Sequence, residues 1–348
     1  MAQRGTTARH EADLVRRCYA GMAPETFFSD MIRSLHTLLP LDAVFFAAAD
    51  PATLLFTSAV AEEPLLAATG QFLANEFGAA DVNKFQALAV ASRKVATLDA
   101  ATSGNRADSP RYRDIMGPIG LGDELRAALV TPGGCWGYLC LHRADSPHGF
   151  TAAEVRMISR IATHIGNGCR AAVTSLPGPN ADGRAPGVLV LHPDLTLAAL
   201  TGEAEYWLAQ LLDRPAPGRL PIAVHTAVAR LRSVDAGDPT DPPSIRVPSA
   251  AGWLLVHASH LTHAAGDIAV VIEPASSATV APLVLTTWAL SPRERDIAML
   301  VLRGASTRDI AATLCLSPYT VKDHMKSIFD KTGVRSRRDL VARVLSRQ

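Results

Sequence analysis

Leu290-Ser291-Pro292-Arg293-Glu294-Arg295, then Gly304-Ala305-Ser306, Asp309-Ile310-Ala311 and Leu316-Ser317-Pro318-Tyr319-Thr320-Val321-Lys322-Asp323-His324 mark three helix starts in close succession. At the first, Ser291 is placed to cap and Pro292 occupies the first helical position, where a missing N–H costs nothing. Glu294 follows three residues after the cap. This helix runs to Arg303 and stops at Gly304. Ser306 with Asp309 opens a second, short helix burying Ile310, Ala311 and Leu314, and Cys315-Leu316 turns the chain. Ser317-Pro318 opens a third helix through Lys331, closed by Gly333 in the position suited to left-handed backbone. Ser336 with Asp339 caps a fourth, burying Leu340, Val344 and Leu345.

A short helix, a tight turn and a longer, separately capped helix form the arrangement that lets the later helix enter the major groove of duplex DNA. On the third helix Val321, Met325, Ile328 and Phe329 are spaced to pack inward, while Tyr319, Lys322, Asp323, Lys326 and Asp330 lie on other faces. Lys322 and Lys326, four apart, are neighbours that would meet phosphates or guanine edges. The free N–H groups beyond Ser317 suit a phosphate, and Thr320 suits a backbone oxygen or a thymine methyl. His324 reads as a packing residue. From Leu290 through Lys331-Thr332-Gly333-Val334-Arg335-Ser336-Arg337 the segment closely resembles the LuxR-type DNA-binding domain. The resemblance implies that helix 317–332 reads DNA through Ser317, Thr320, Lys322, Asp323 and Lys326, with Lys331 and Arg337 on the DNA backbone. It also implies weak dimerisation on the target through the fourth helix, Arg337 to Leu345. Asp323 departs from the neutral or basic residue common at its position in that family.

Working outward, Glu273-Pro274-Ala275-Ser276-Ser277 ahead of Pro282 reads as a linker over 276–288, and Leu176-Pro177-Gly178-Pro179 as another over 174–186. Between them, residues 187–275 run strand, strand, helix, helix and three strands. That order, with Leu191-His192-Pro193-Asp194 and Gly252-Trp253-Leu254-Leu255-Val256-His257-Ala258, resembles a small α+β PAS-like domain. Residues 21–173 open with a helix, strands at Ala43 to Ala49 and Leu54 to Val60, and a helix from Glu62 to Phe77. A hairpin then joins Glu124 to Thr131 with Cys135 to His142 through Pro132-Gly133-Gly134, and a helix capped by Thr151 and Glu154 closes the segment. Together with Trp136-Gly137-Tyr138-Leu139-Cys140-Leu141-His142-Arg143 this order resembles an α+β GAF domain, which implies a small-molecule sensor or a dimerisation module. Residues 1–20 form an amino-terminal helix or arm. The fold class is therefore multidomain: GAF-like, then PAS-like, then an all-α four-helix LuxR-type helix-turn-helix domain over 289–348.

Composition bounds the function. With 348 residues, 48% hydrophobic and 19% charged, the chain has material for several cores. From Leu283 onward twelve Lys or Arg stand against six Asp or Glu, and before it 22 against 27, so a basic tail follows an acidic body and the tail alone suits a polyanion. The first thirteen residues lack the apolar stretch of a secretory signal, and every apolar run is broken short of ~18 residues, so no membrane association and a cytoplasmic location are expected. Five cysteines, Cys18, Cys135, Cys140, Cys169 and Cys315, contain no CxxC pair; they read as buried reduced thiols, with no metal and no cofactor beyond an unidentified effector in the GAF-like domain. Asp50 ends an apolar run, but residues 1–40 offer no strand for the acidic pair of a receiver domain. Trp136, Tyr138, His142 and Arg143 are candidates to line a pocket, of which strand alternation sends half inward.

The function expected is sequence-specific transcription regulation without catalysis. The expected partners are duplex DNA, RNA polymerase, a small-molecule effector and a second copy of the chain on DNA. A sigma-factor-like promoter reader is disfavoured by the fourth helix after Gly333 and by the lack of an aromatic, basic promoter-melting segment. An enzyme with a regulatory tail is disfavoured because no nucleophile elbow, P-loop, HExxH or dinucleotide fingerprint occurs.

Overall fold

The computed structural model describes residues 2–174, 183–213, 219–237, 243–262, 266–288 and 290–345. The core of the linker read at 174–186 and the side chain of Leu345 lie outside the described residues.

The first unit comprises α1 (Ala2–Cys18), α2 (Pro24–Leu38), β1 (Ala43–Ala49), β2 (Phe56–Ala61), α3 (Thr69–Gly78), α4 (Phe85–Val90), β3 (Val95–Thr97), α5 (Leu98–Ala101), β4 (Leu121–Thr131), β5 (Gly134–Ala144) and α6 (Ala152–Thr174). Its strands form one antiparallel sheet ordered β2-β1-β5-β4-β3. Helices α1, α2 and α6 bury Leu14, Phe27, Met31, Ile158 and Ile165 against Phe46, Leu129, Trp136 and Leu139 on one face. The other face carries Phe56, Phe85, Tyr138 and Cys140 beneath α3 and α4. The helix expected from Glu62 starts only at Thr69, because Pro64 removes an N–H and restricts the residue before it; residues 63–68 form turns instead.

Strict alternation along β5 would put Trp136 on the face of Tyr138. Between the pairs Ala128↔Tyr138 and Val130↔Cys135, however, β5 carries one more residue than β4. This bulge sends Trp136 to the α6 side and leaves Tyr138, Cys140 and His142 on the other. Gly137 permits the close approach: a Cβ there would sit 2.5 Å from the Ala47 carbonyl oxygen of the neighbouring strand.

The second unit repeats that connectivity with β6 (Gly187–Leu191), β7 (Leu197–Leu200), α7 (Gly202–Gln210), α8 (Ile222–Asp235), β8 (Ser244–Ser249), β9 (Gly252–His260) and β10 (Ile268–Pro274), in the order β7-β6-β10-β9-β8. Helix α8 packs on β9 of its own sheet and on α3 and β2 of the first unit. A helix so sandwiched is apolar nearly all round, as Ile222, Ala223, Val224, Ala227, Val228 and Leu231 show.

The segment read as a linker at 276–288 is a helix, α9 (Ser277–Thr287). Ser276 caps it by accepting from the Thr279 N–H at 3.1 Å, and Val280, Ala281, Leu283 and Leu285 are buried where α9 meets α6 and the carboxy-terminal helices. Pro and Ser, read as loop punctuation, here cap and fill a buried helix. Helices α10 (Pro292–Leu302), α11 (Thr307–Leu314), α12 (Pro318–Thr332) and α13 (Arg337–Leu345) complete the chain. No described helix is long and apolar enough to cross a membrane.

Candidate functional site

Local chemistry fixes the two helices of the turn. Ser291 and Glu294 form a reciprocal capping box on α10, and Ser306 and Asp309 another on α11. Ser317 opens α12 by accepting from the Thr320 N–H at 3.0 Å, and the Ser317 and Thr320 hydroxyls lie 2.8 Å apart. Gly333, at φ 68°, ends α12 in the left-handed region. Val321 and Ile328 are buried against α10 and α11, with Met325 and Phe329 partly so.

Burial on one side leaves the other free. Tyr319, Lys322, Asp323, Lys326 and Asp330 line the remaining surface of α12, and Tyr319 is 75% exposed at its start. Ser317, Thr320, Lys322, Asp323 and Lys326 thus share one helix and its first turn. Lys331 and Arg337 stand apart from them: the Lys331 ammonium donates to both Glu294 carboxylate oxygens, at 2.8 and 2.7 Å, and the Arg337 guanidinium donates to the Ala305 carbonyl oxygen. Ser327 also donates to Glu294, at 2.6 Å. Burial alone would raise the Glu294 carboxyl, but the donors Lys331, Ser327 and Ser291 hold it at about 2. On α13, Leu340 and Val344 face inward toward α9 and α10, leaving Ala342 and Arg343 exposed.

The first unit holds a second candidate site. A cavity of about 30 Å³ lies between its sheet and α3, lined by Phe45, Phe56, Phe72 and Phe85 with Glu76, Arg126, Cys140 and His142 at its polar end. Glu124 pairs with His142 across β4 and β5, and Arg126 with Cys140, so all four project from one face. Arg111 Nε donates to Glu124 Oε1 at 2.7 Å, and Arg126 Nη1 to Glu76 Oε2 at 2.7 Å. The Arg126 guanidinium lies 4.4 Å from the Phe85 ring centre. Burial would raise Glu124, but Arg111 and Arg126 hold it well below the usual carboxylate range. Burial, with the same two arginines, pushes His142 down to about 4, so its imidazole is neutral. Burial and the Glu124 charge keep Cys140 a thiol. Of the residues that sequence offered for a pocket, His142 lines the cavity and Trp136 lies across the sheet. Arg143 pairs with Glu154 at 2.8 Å. Glu76 and Arg126 carry no motif; a charged pair inside otherwise apolar segments is the only signal they leave in the sequence.

Residues 289–344 match the family described as bacterial regulatory proteins, luxR family, and residues 23–169 match the GAF domain. The spore germination protein GerE of Bacillus subtilis is 34% identical over 56 residues, 16% of this chain and 76% of GerE. The chain belongs to the LuxR family of bacterial regulatory proteins, with a GAF domain ahead of its helix-turn-helix domain. The monoamine regulon transcriptional regulator of Klebsiella aerogenes is 46% identical over 54 residues, 16% of this chain and 24% of that protein. An HTH-type transcriptional regulator of Mycobacterium bovis is 46% identical over 52 residues, 15% of this chain, and the match spans only 6% of the relative. Among solved structures, Escherichia coli SdiA aligns over 97% of this chain and 96% of its own at 12% identity, with a TM-score of 0.35.

Proposed function

We propose that this protein is a cytoplasmic transcription regulator that binds duplex DNA sequence-specifically through α12, as a homodimer on its target, under the control of a small molecule accepted by the GAF domain. The observation that carries the DNA reading is the uncovered face of α12: Lys322 and Lys326 side by side, without an ion-pair partner among the described residues, on the second helix of a capped helix-turn-helix. Thr320, Asp323 and the N–H groups after Ser317 lie at the end that meets bases and phosphates. Lys331 and Arg337 act inside the domain, and their part in binding is to hold α12 in place. Ala342 and Arg343 on α13 form the face for a second copy, and RNA polymerase is the partner through which bound DNA is read out. The effector enters the cavity beneath α3 and α4 by moving them, since about 30 Å³ accommodates one water.

The test is binding of the full chain and of residues 276–348, which keep α9 with the helices it packs on, to a random duplex library across salt concentrations. An enriched motif is expected, with Lys322→Ala and Lys326→Ala each weakening it and lowering the salt slope by about 0.9 for each phosphate that is no longer neutralised. Binding unchanged by both substitutions would sink the assignment of α12.

A further inference from the structure

We propose that Glu124, Cys140 and His142 form a binding site for one thiophilic divalent cation of the Zn²⁺ class on the floor of the GAF cavity. Among the described residues these three make the one group whose ligand atoms of His, Cys, Asp or Glu lie close enough to share an ion, all within 4.8 Å of one another. Cys140 Sγ lies 3.0 Å from His142 Nε2 and 3.3 Å from Glu124 Oε2. Tetrahedral zinc, with bonds of ~2.3 Å to sulfur and ~2.0 Å to nitrogen or oxygen, separates its ligands by ~3.5 Å. The sulfur therefore needs to draw away from its two neighbours by only a few tenths of an ångström.

Glu124 is held as outer partners hold a ligating carboxylate. Both arginines use one oxygen of Glu124: Arg111 Nε is 2.7 Å and Arg126 Nε 3.1 Å from Oε1. They hold the carboxylate and leave Oε2 turned to the thiol, as outer partners orient ligating carboxylates. His142 is fully buried and turns Nε2 toward the site, 3.0 Å from Cys140 Sγ, while its Nδ1 has no hydrogen-bond partner. Cys140 and His142 line the cavity, which gives a fourth ligand the room of one water or of an effector's donor atom.

Glu76, Asp81 and Glu124 face the guanidiniums of Arg111 and Arg126, with half-buried Lys84 at the edge. On binding, the Cys140 S–H bond breaks and its proton leaves to solvent as the metal–sulfur bond forms, with no change in oxidation state. The added charge is one positive unit, on a cluster in which Arg111, Arg126 and Lys84 already balance Glu76, Asp81 and Glu124. The site goes beyond the DNA-binding reading and stands or falls without it.

The full chain would be titrated with Co²⁺, whose thiolate complexes give a near-ultraviolet charge-transfer band. One ion per chain, one proton released and displacement by Zn²⁺ are expected. Cys140→Ser should abolish the band, and His142→Gln should weaken binding at least about tenfold. Cys135→Ser and Cys315→Ser should leave both untouched. A band that survives Cys140→Ser, or no band at one equivalent, overturns the proposal. X-ray absorption at the cobalt edge of the unsubstituted chain covers the case of a variant that misfolds: one sulfur neighbour supports the site, and a shell of oxygen and nitrogen alone refutes it.

Discussion

At Glu294 one carboxylate caps α10 and ties it to α12. Its Oε2 accepts from the Ser291 N–H at 2.6 Å while Ser327 and Lys331 donate from α12. Glu294→Ala removes the reciprocal half of the cap and strands a partly exposed ammonium, a loss of about 2 kcal/mol in the local stability of the domain. Amide exchange in α10 and α12 should then quicken about 30-fold, and unchanged exchange would refute the coupling. The same group sets an acid limit. Its folded pKa, about 2, lies below the ordinary 4.5, so its contribution is complete above pH 4.5 and is lost as pH falls toward 2. In Glu294→Gln that part of the acid sensitivity of exchange should vanish. In the sequence Lys331 is one more cation on a polar face; nothing in its spacing indicates a partner 37 residues away, which only the packing of α10 on α12 supplies.

Helix ends are the most legible elements, because caps are local chemistry: Ser291, Ser306, Ser317 and Gly333 each stand where the structure begins or ends a helix. The turn of the helix-turn-helix adds an element-scale prediction. Cys315 closes α11 at φ 53°, ψ 46°, where a Cβ is strained and glycine is not. Cys315→Gly should therefore raise the stability of the domain by about 0.5–1 kcal/mol, read as a higher urea midpoint for loss of α11 and α12, with DNA binding intact; a lower midpoint would mean the thiol packs more than its exposure indicates. Elements whose definition depends on distant partners are not legible. The segment at 276–288 contains Pro282 with Ser276, Ser277 and Thr279 before it, a composition shared by loops and by buried helices whose neighbours are unknown. The bulge that moves Trp136 across the sheet is a property of two strands together. Cys140-x-His142 is a same-face pair on one strand, but Glu124 joins it only through the β4–β5 register, so a search for closely spaced ligands passes over it.

Across the whole molecule the units meet around one buried arginine. Arg246 on β8 donates to the Asp50 carboxylate at the end of β1, through Nε at 2.7 Å and through Nη2, and its Nη1 donates at 3.2 Å to the Thr279 carbonyl in the first turn of α9. Asp50 is 2% and Arg246 8% exposed, so neither charge has much water to fall back on. The other end of α9 lies against the β4–β5 turn, where a Cβ on Gly133 would come within 2.7 Å of the Thr286 carbonyl oxygen. A cleft of about 420 Å³ bounded by Pro51, Gly134, Arg246, Thr286 and Arg295 joins the two domains to α10. The GAF sheet is thus joined to the helix-turn-helix domain through α9, which packs on α10 and α13. Removing one partner of a buried pair leaves the other uncompensated, so Asp50→Ala or Arg246→Met should each destabilise the junction by about 3–5 kcal/mol. Asp50→Ala combined with Arg246→Met, which removes both charges, should recover a large part of that loss, giving a coupling energy above about 1 kcal/mol in a double-mutant cycle. Urea unfolding of the full chain measures the cycle, and amide exchange locates the effect: the first turn of α9 and the end of β1 should open together in the single variants while α12 stays protected. Additive single losses, or opening of α9 without β1, would show that the three units are merely adjacent.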